Sequence, residues 1–275
     1  EKALRRDSRV LVVGAGLIGL KCVEGIRDRV GEVTVVDLAG RILPSVLDEA
    51  GAALMQRHIE ARGVRFLLGD SVAAFEGNTA RMKSGASVDF DILVLAVGVR
   101  PNTALVKEAG GLVRKGIVID EFGRTSLPDV YAAGDCTESH DITVDEDRIL
   151  ALLPAAYMQG ECAGLHMAAG GEHPYNKAIP MNAAGFFGLH MITAGSYVGE
   201  SRVIPQKEGY KRLFFQDGVL KGYILIGDVE RAGIYTALIR ERTPLSSIDF
   251  ELIQEKPQLM AFSRKDRAAV LSRQV

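Results

Sequence analysis

Residues 9–19 read RVLVVGAGLIG, an apolar run followed at once by Gly14-Ala15-Gly16-Leu17-Ile18-Gly19. A strand that enters a helix through a GxGxxG turn is the opening of a Rossmann-type βαβ unit. The first glycine permits the tight turn, the second lets a pyrophosphate approach the backbone, and the third allows close helix–strand packing. The helix expected over Leu17–Arg29 then offers its unpaired amides to phosphate. Glu32–Val36 reads as a second strand, rich in β-branched residues. Asp37 ends it, at the distance expected of a carboxylate that accepts hydrogen bonds from an adenosine ribose. Such a carboxylate repels a 2′-phosphate, so the expected dinucleotide is NAD(H). Arg41, four residues on, leaves some room for the phosphorylated form.

Pro44 precedes an amphipathic helix expected from about Ser45 to Arg62, closed by Gly63. Val64–Leu68 supplies another strand, residues 71–86 a hairpin-type excursion, and Asp91–Val97 a buried strand ending at Gly98. Strands alternating with helices predict a parallel sheet with helices on its faces, a three-layer Rossmann-like domain over residues 1–100. A shorter segment, 101–172, holds a strand at Val118-Ile119, a turn at Glu121–Gly123, a strand at Val130–Ala133 and a helix from Leu153 to Ala169. Gly170-Gly171 and Pro174 mark a linker. Residues 173–275 change character and read as an α+β domain, with strands at Ala184–Ala194, Tyr210–Phe215 and Val219–Ile226 and a helix at Arg231–Arg240. Asp217-Gly218 between two apolar runs is a strong hairpin signal. The tail beyond Phe250 reads as polar and peripheral.

A second motif lies at residues 125–138, TSLPDVYAAGDCTE. A short apolar strand ending in Gly134-Asp135 would put a carboxylate at the carboxyl edge of a sheet, where α/β folds bind ligands. With GAGLIG at 14–19, VDLAGRILP at 36–44 and AVGVRPN at 96–102, it makes four ordered motifs. In these the chain closely resembles the FAD-dependent pyridine nucleotide-disulfide oxidoreductase superfamily over residues 8–170.

That resemblance implies two cofactors, FAD and NAD(H), and assigns Asp135, after Gly134, to the ribityl or phosphate part of FAD. The amino end of the helix at Leu153, Pro154 and Ala155 would face the flavin pyrimidine edge, where a helix terminus favours the negative charge of reduced flavin. Val97 and Gly98 join Gly14, Gly16, Leu17, Ile18, Gly19, Asp37 and Arg41 as expected cofactor contacts. The last segment, with IPMNAAGFFGLHMITAG at 179–195 and VLKGYILIGD at 219–228, resembles the C-terminal domain of the rubredoxin-reductase and nitrite-reductase-like branches. In the superfamily such a domain often forms a subunit interface, so an oligomer is expected, and Gly185, Phe186, Phe187, Leu189, His190 and Met191 read as packing rather than chemistry.

The chain departs from the family pattern in two places. Only one Gly-rich βαβ unit is present, whereas the superfamily holds the ADP part of FAD on an earlier one, which also carries the redox-active cysteine where there is one. Either the chain is the remainder of a longer polypeptide, as an opening at Glu1-Lys2-Ala3 that reads like the middle of a connecting helix suggests, or a partner chain completes the flavin site. Further, many peroxide- and disulfide-reducing members have an aromatic residue in the place of Leu17 and a nicotinamide-holding glutamate in the place of Lys21. A lysine cannot accept the carboxamide hydrogen bond, so the nicotinamide is oriented differently or Glu24, one turn later, substitutes.

Composition narrows the rest. With 33 basic against 35 acidic residues, a net charge of −2 gives no footprint for nucleic acid or anionic membranes. No apolar run approaches a membrane span and no export segment opens the chain, so a cytoplasmic protein is expected. Cys22, Cys136 and Cys162 form no CxxC and read as buried filler; neither they nor the five histidines suggest a metal site. Hydride transfer between stacked cofactors calls for alignment rather than an acid, base or triad. The expected function is an NADH-dependent flavoprotein oxidoreductase that passes electrons to a small redox protein or a neighbouring electron-carrying subunit. Two alternatives stand beside it: an NADH oxidase, peroxidase or disulfide reductase using an upstream cysteine, and a non-catalytic NADH-sensing interaction module.

Overall fold

The computed structural model describes residues 3–170 and 173–263. Its first unit runs β1 (Arg9–Val13), α1 (Leu17–Ile26), β2 (Glu32–Asp37), α2 (Glu49–Glu60), β3 (Val64–Leu68), β4 (Val72–Glu76), β5 (Thr79–Met82), β6 (Ser87–Asp89) and β7 (Ile92–Leu95). The parallel sheet has the order β3-β2-β1-β7. Alternation along β1 sorts its side chains. Val10 and Val12 face the helices with Leu20, Val23, Met55 and Ile59, whereas Leu11 faces Ala80, Met82 and Val88 of the β4–β6 meander and Phe90 beyond it.

The second face of this sheet is therefore covered by a small antiparallel sheet and not by helices. The expected hairpin at 71–86 gains a third strand, because Ser87–Asp89 pairs back on β5. The expected buried strand at Asp91–Val97 is shorter and half-exposed, since β7 lies at the sheet edge. The helix expected from Ser45 starts at Glu49, because Asp48 caps it by accepting the Gly51 amide at 2.9 Å. After Ile26, α1 tightens into a 3₁₀ turn over Arg27–Arg29.

The middle segment contains α3 (Ala104–Glu108), β8 (Ile117–Val118), β9 (Thr137–Asp141), β10 (Glu146–Ile149) and α4 (Leu153–Ala169). No strand forms at Val130–Ala133. Its backbone meets residues 123–125 through the isolated Arg124↔Tyr131 bridge and two flanking bonds, and the Val130 amide turns back to the Leu127 carbonyl. Gly134-Asp135 consequently sits in a turn before β9 rather than at the end of a strand. The β9–β10 hairpin was not expected; its polar residues Glu138 and Asp141 are buried among hydrogen bonds instead of apolar contacts.

The last segment forms a sheet of β11 (Met181–Phe186), β12 (Leu189–Gly195), β13 (Glu200–Ile204), β14 (Gly209–Gln216) and β15 (Val219–Gly227), followed by α5 (Ala232–Arg240) and α6 (Phe250–Glu255). The strand order is β11-β12-β15-β14-β13. The single strand expected at Ala184–Ala194 is a hairpin that turns at Phe187-Gly188, with both residues at positive φ. Asp217 and Gly218, at φ 54° and 72°, make the expected primed turn. The tail beyond Phe250 is not peripheral as far as it is described, because Ile253 and Ala261 lie in the core with Tyr235 and Leu238. The helix expected around residues 1–3 and the linker at 170–174 fall partly outside the described residues; Ala3 stands in a turn.

Ile224 and Ile226 of β15, with Phe186, Met191 and Phe214, close over α1 and α2 from the side opposite the parallel sheet. Tyr223 and Leu225 point the other way, onto α5 and α6. The two helices are thus the filling between two sheets, each fully buried Leu, Ile or Phe contributing about 1.5–3 kcal/mol. Among the described residues no helix is long and apolar enough to cross a membrane.

Candidate functional site

The glycine turn has the division of labour its spacing implies. A Cβ on Gly14 (φ 115°) would lie 2.2 Å from the Ala96 carbonyl oxygen, and one on Gly19 would lie 2.0 Å from that of Gly14. Both positions are closed by backbone. A Cβ on Gly16 would meet nothing within 4 Å, so the open side of the turn is at the middle glycine. Gly16 is also the N-cap of α1, with no capping side chain and no acidic residue in the first turn. The amides there keep their capacity for an anion. Leu17 is half-buried, while the Ile18 side chain projects outward.

Asp37 is bound to the same turn. Its Oδ2 accepts the Ala15 amide at 2.7 Å and its Oδ1 accepts the Ala39 amide at 2.8 Å. Two backbone donors fix the half-buried carboxylate beside the open glycine and leave it lone pairs to spare. Arg41 is exposed and donates to the Pro44 carbonyl at 3.2 Å, bracing its own loop. That loop returns to the glycine turn through the Leu43 amide, which donates to the Ala15 carbonyl at 2.9 Å. Val97 and Gly98 follow β7 into an exposed coil. Because β7 pairs with β1, Ala96 abuts Gly14, and the carboxyl ends of β1, β2 and β7 meet at this one edge.

From Leu17 a cleft of about 590 Å³ runs between the units. Ser45, Val46 and Leu17 line one side; Arg148 and Leu150–Leu152, which lead into α4, line another; Asn182, Thr193 and Tyr197 close the third. The N-terminus of α4 is uncapped by any side chain, carries no acid in its first turn, and has Pro154 where an amide is not needed. Leu153 and Pro154 are exposed, but the Ala155 side chain is fully buried against Leu150 and Ala178, so only its backbone is available to a ligand.

Gly134 (φ 85°) and Asp135 stand apart from that cleft's lining. The Asp135 carboxylate is exposed and has no hydrogen-bond or ionic partner among the described residues. Gln159, buried in α4, was not singled out by its sequence context. Its Oε1 accepts the Gly134 amide at 2.6 Å and the Thr137 hydroxyl at 3.1 Å, locking the turn that presents Asp135 to the helix. Glu138 is a second buried tie, accepting the Lys115 and Gly116 amides at 2.7 and 2.8 Å. Of the three cysteines only Cys162 is buried; Cys22 and Cys136 are half-buried.

Glu24, expected as the alternative to Lys21 for holding the nicotinamide, is engaged within the protein. It is ion-paired with Lys21, and its Oε1 accepts the Phe187 amide at 2.6 Å. Lys21 also donates to the Gly185 carbonyl at 3.1 Å. The pair fastens α1 to the β11–β12 hairpin. Burial alone would raise the Glu24 carboxyl, but the bonds from Lys21 and the Phe187 amide, with the charges of Lys21 and His190, hold it below its usual range.

The sequence profile of the pyridine nucleotide-disulphide oxidoreductases matches residues 1–160. The assimilatory nitrate reductase electron transfer subunit of Bacillus subtilis is 31% identical over 245 residues, covering 85% of this chain and 31% of the relative. An NADH oxidase of Methanocaldococcus jannaschii is 37% identical over 242 residues, covering 80% of this chain and 54% of the relative. The chain thus spans only 31–54% of the length of these two proteins. Among solved structures, a NAD-dependent persulfide reductase from A. fulgidus superposes with a TM-score of 0.83 at 23% identity, over 96% of this chain and 55% of that one. In the covalent putidaredoxin reductase–putidaredoxin complex the match has a TM-score of 0.84 at 22% identity, over 99% of this chain and 66% of that one. At these identities the structures speak to the fold alone.

Proposed function

The chain belongs to the pyridine nucleotide-disulphide oxidoreductase family, and from that premise we propose that it forms the NADH-binding and flavin-contacting part of an oxidoreductase. In this proposal residues 1–100 hold NADH, 101–172 contribute to the FAD site, and 173–275 form an interface domain. The observation that carries it is the cleft whose walls include both Leu17, the first residue after the open glycine, and Leu150–Leu152, which deliver the uncapped end of α4. A nicotinamide leaving the glycine turn and a flavin ring at the helix end would meet there.

The chain's own groups bind and orient. The α1 amides take the pyrophosphate at Gly16, and Asp37 accepts from the adenosine ribose while its charge disfavours a 2′-phosphate. The orphan amides of α4 favour negative charge on the flavin pyrimidine edge. Asp135 meets the ribityl or phosphate part from a turn held by Gln159. The residues present fit both groups: closed glycines cradle the turn, an open one admits the diphosphate, and Asp135 is an exposed carboxylate without a partner among the described residues. Flavin, when bound, supplies an acceptor for the nicotinamide hydride and a means of releasing electrons singly or in pairs.

The onward acceptor in this proposal is a small redox protein or an electron-carrying subunit, and a partner chain or further segment supplies the rest of the FAD site. Support comes from the Bacillus subtilis relative, whose name is that of an electron transfer subunit. Stopped-flow mixing of the flavin-loaded protein with NADH tests the proposal: rapid loss of the flavin absorbance is expected, and an unchanged spectrum overturns it. A second function, NADH oxidase, is favoured by the archaeal relative of that name. Oxygen consumption in step with NADH, without any added carrier protein, would select it.

A further inference from the structure

Ser45 and Val46 line the cleft, and the segment Ser45–Asp48 that carries them is held from outside its own unit. Tyr197, from the β12–β13 connection, donates its hydroxyl to the Val46 carbonyl. Asp48 caps α2 through Oδ1 and turns Oδ2 to the last segment's sheet, accepting from the Tyr210 hydroxyl at 2.6 Å and from Arg212 Nη1 at 2.8 Å. The Arg212 guanidinium lies 5.0 Å over the Phe214 ring, which stacks on Tyr197 at 4.7 Å. Five residues thus make one continuous brace from β14 to the cleft. The adenosine end is anchored separately, by the bonds of Asp37 to Ala15 and Ala39.

We infer that Asp48 is a positioning residue for the nicotinamide end of the site: through Tyr210 and Arg212 it makes the C-terminal sheet hold the segment that carries Ser45 and Val46, the wall against which the nicotinamide rests. This rests on the proposed NADH site. A charge-assisted bond to a half-buried carboxylate stabilises more than a neutral one, and an aromatic stack behind it restricts how far the wall moves. Burial, then the bond to Asp48, pushes the Tyr210 phenol up to about 12, so the hydroxyl remains the donor throughout the accessible range. The bond to Asp48 likewise raises Arg212, outweighing the effect of its burial.

The brace and the adenosine anchor are separable with two ligands, NADH and ADP-ribose, which ends before the nicotinamide. Tyr210→Phe removes one bond to Asp48 without touching the α2 cap; Asp48→Asn retains a cap acceptor for Gly51 but removes the charge facing Arg212. Titration of the full chain should show NADH affinity falling about fivefold in each variant, with ADP-ribose affinity held within about twofold. The fluorescence of bound NADH should also shift toward that of the free cofactor, a change that loss of global stability alone does not produce. Equal losses for both ligands, or none for either, would overturn the inference. Failure of the unaltered chain to bind NADH would instead overturn the proposed site itself, and the inference with it.

Discussion

Asp37 Oδ2 accepts the Ala15 amide at 2.7 Å, so the carboxylate that ends β2 also fastens the glycine turn. Asp37→Asn keeps one acceptor oxygen for two backbone donors that now use both. Unfolding should become easier by about 1–3 kcal/mol. Preference for NADH over NADPH should fall by about fivefold or more, because the repelling charge is gone. Paired titrations with the two cofactors check this; an unchanged ratio would remove Asp37 from the ribose site.

The glycines separate folding from binding. Gly16→Val meets open space and has an ordinary extended φ of −81°, so its melting temperature should stay near that of the unaltered chain while NADH binding is lost. Gly19→Ala drives a methyl into the Gly14 carbonyl and should cost about 1–3 kcal/mol of stability through overpacking. Calorimetry beside NADH titration distinguishes the two effects.

Asp135 and Gln159 should behave as a contrasting pair. Asp135→Ala removes an exposed carboxylate without a described partner, so stability should be unchanged while flavin retention weakens by about 1–3 kcal/mol. Gln159→Leu strands the Gly134 amide and leaves the Thr137 hydroxyl only the Gly134 carbonyl as acceptor, and should lower both the melting temperature and flavin retention. Flavin content after dilution, read with melting curves, tests both; equal flavin content in all three proteins would dismiss the role of this turn.

The Glu24 contact sets an acid limit. Its carboxyl lies below the ordinary value of 4.5 in the folded chain. The contact therefore contributes in full above that pH and is lost as pH falls through the lower folded value. Glu24→Gln should flatten that part of the stability curve below about pH 4.5 and leave the rest of its shape unchanged. Urea titrations across pH 3–7 would show it; parallel curves for both proteins would contradict it.

The parts of the fold written in short-range chemistry were legible in the sequence. The GxGxxG turn, the Asp-Gly hairpin and the helix Leu153–Ala169 follow from φ, spacing and capping that a few neighbouring residues decide. The meander over the second sheet face was not, since Ala80, Met82 and Val88 gain their meaning only by meeting Leu11. Val130–Ala133 shows the reverse: an apolar run whose backbone meets its neighbour at a single bridge, Arg124↔Tyr131, does not extend into a strand. At the candidate site, Gly14, Gly16, Gly19 and Asp37 come together as their motif implies. Gln159 was hidden because a buried glutamine in a helix has no local signature; only its acceptor distance to Gly134 reveals it.

Because α1 and α2 are packed on both flanks, chimaeras between this chain and its relatives face an asymmetric constraint. Exchanging the meander alters one seam, that around Leu11. Exchanging the final hundred residues exposes or overfills the far sides of both helices, where Phe186, Met191, Phe214, Ile224 and Ile226 now fit. A transplanted tail would therefore have to bring the matching outward residues of those helices with it, and recombination points inside the first sixty residues would be inherited together with those beyond the hundred-and-eightieth.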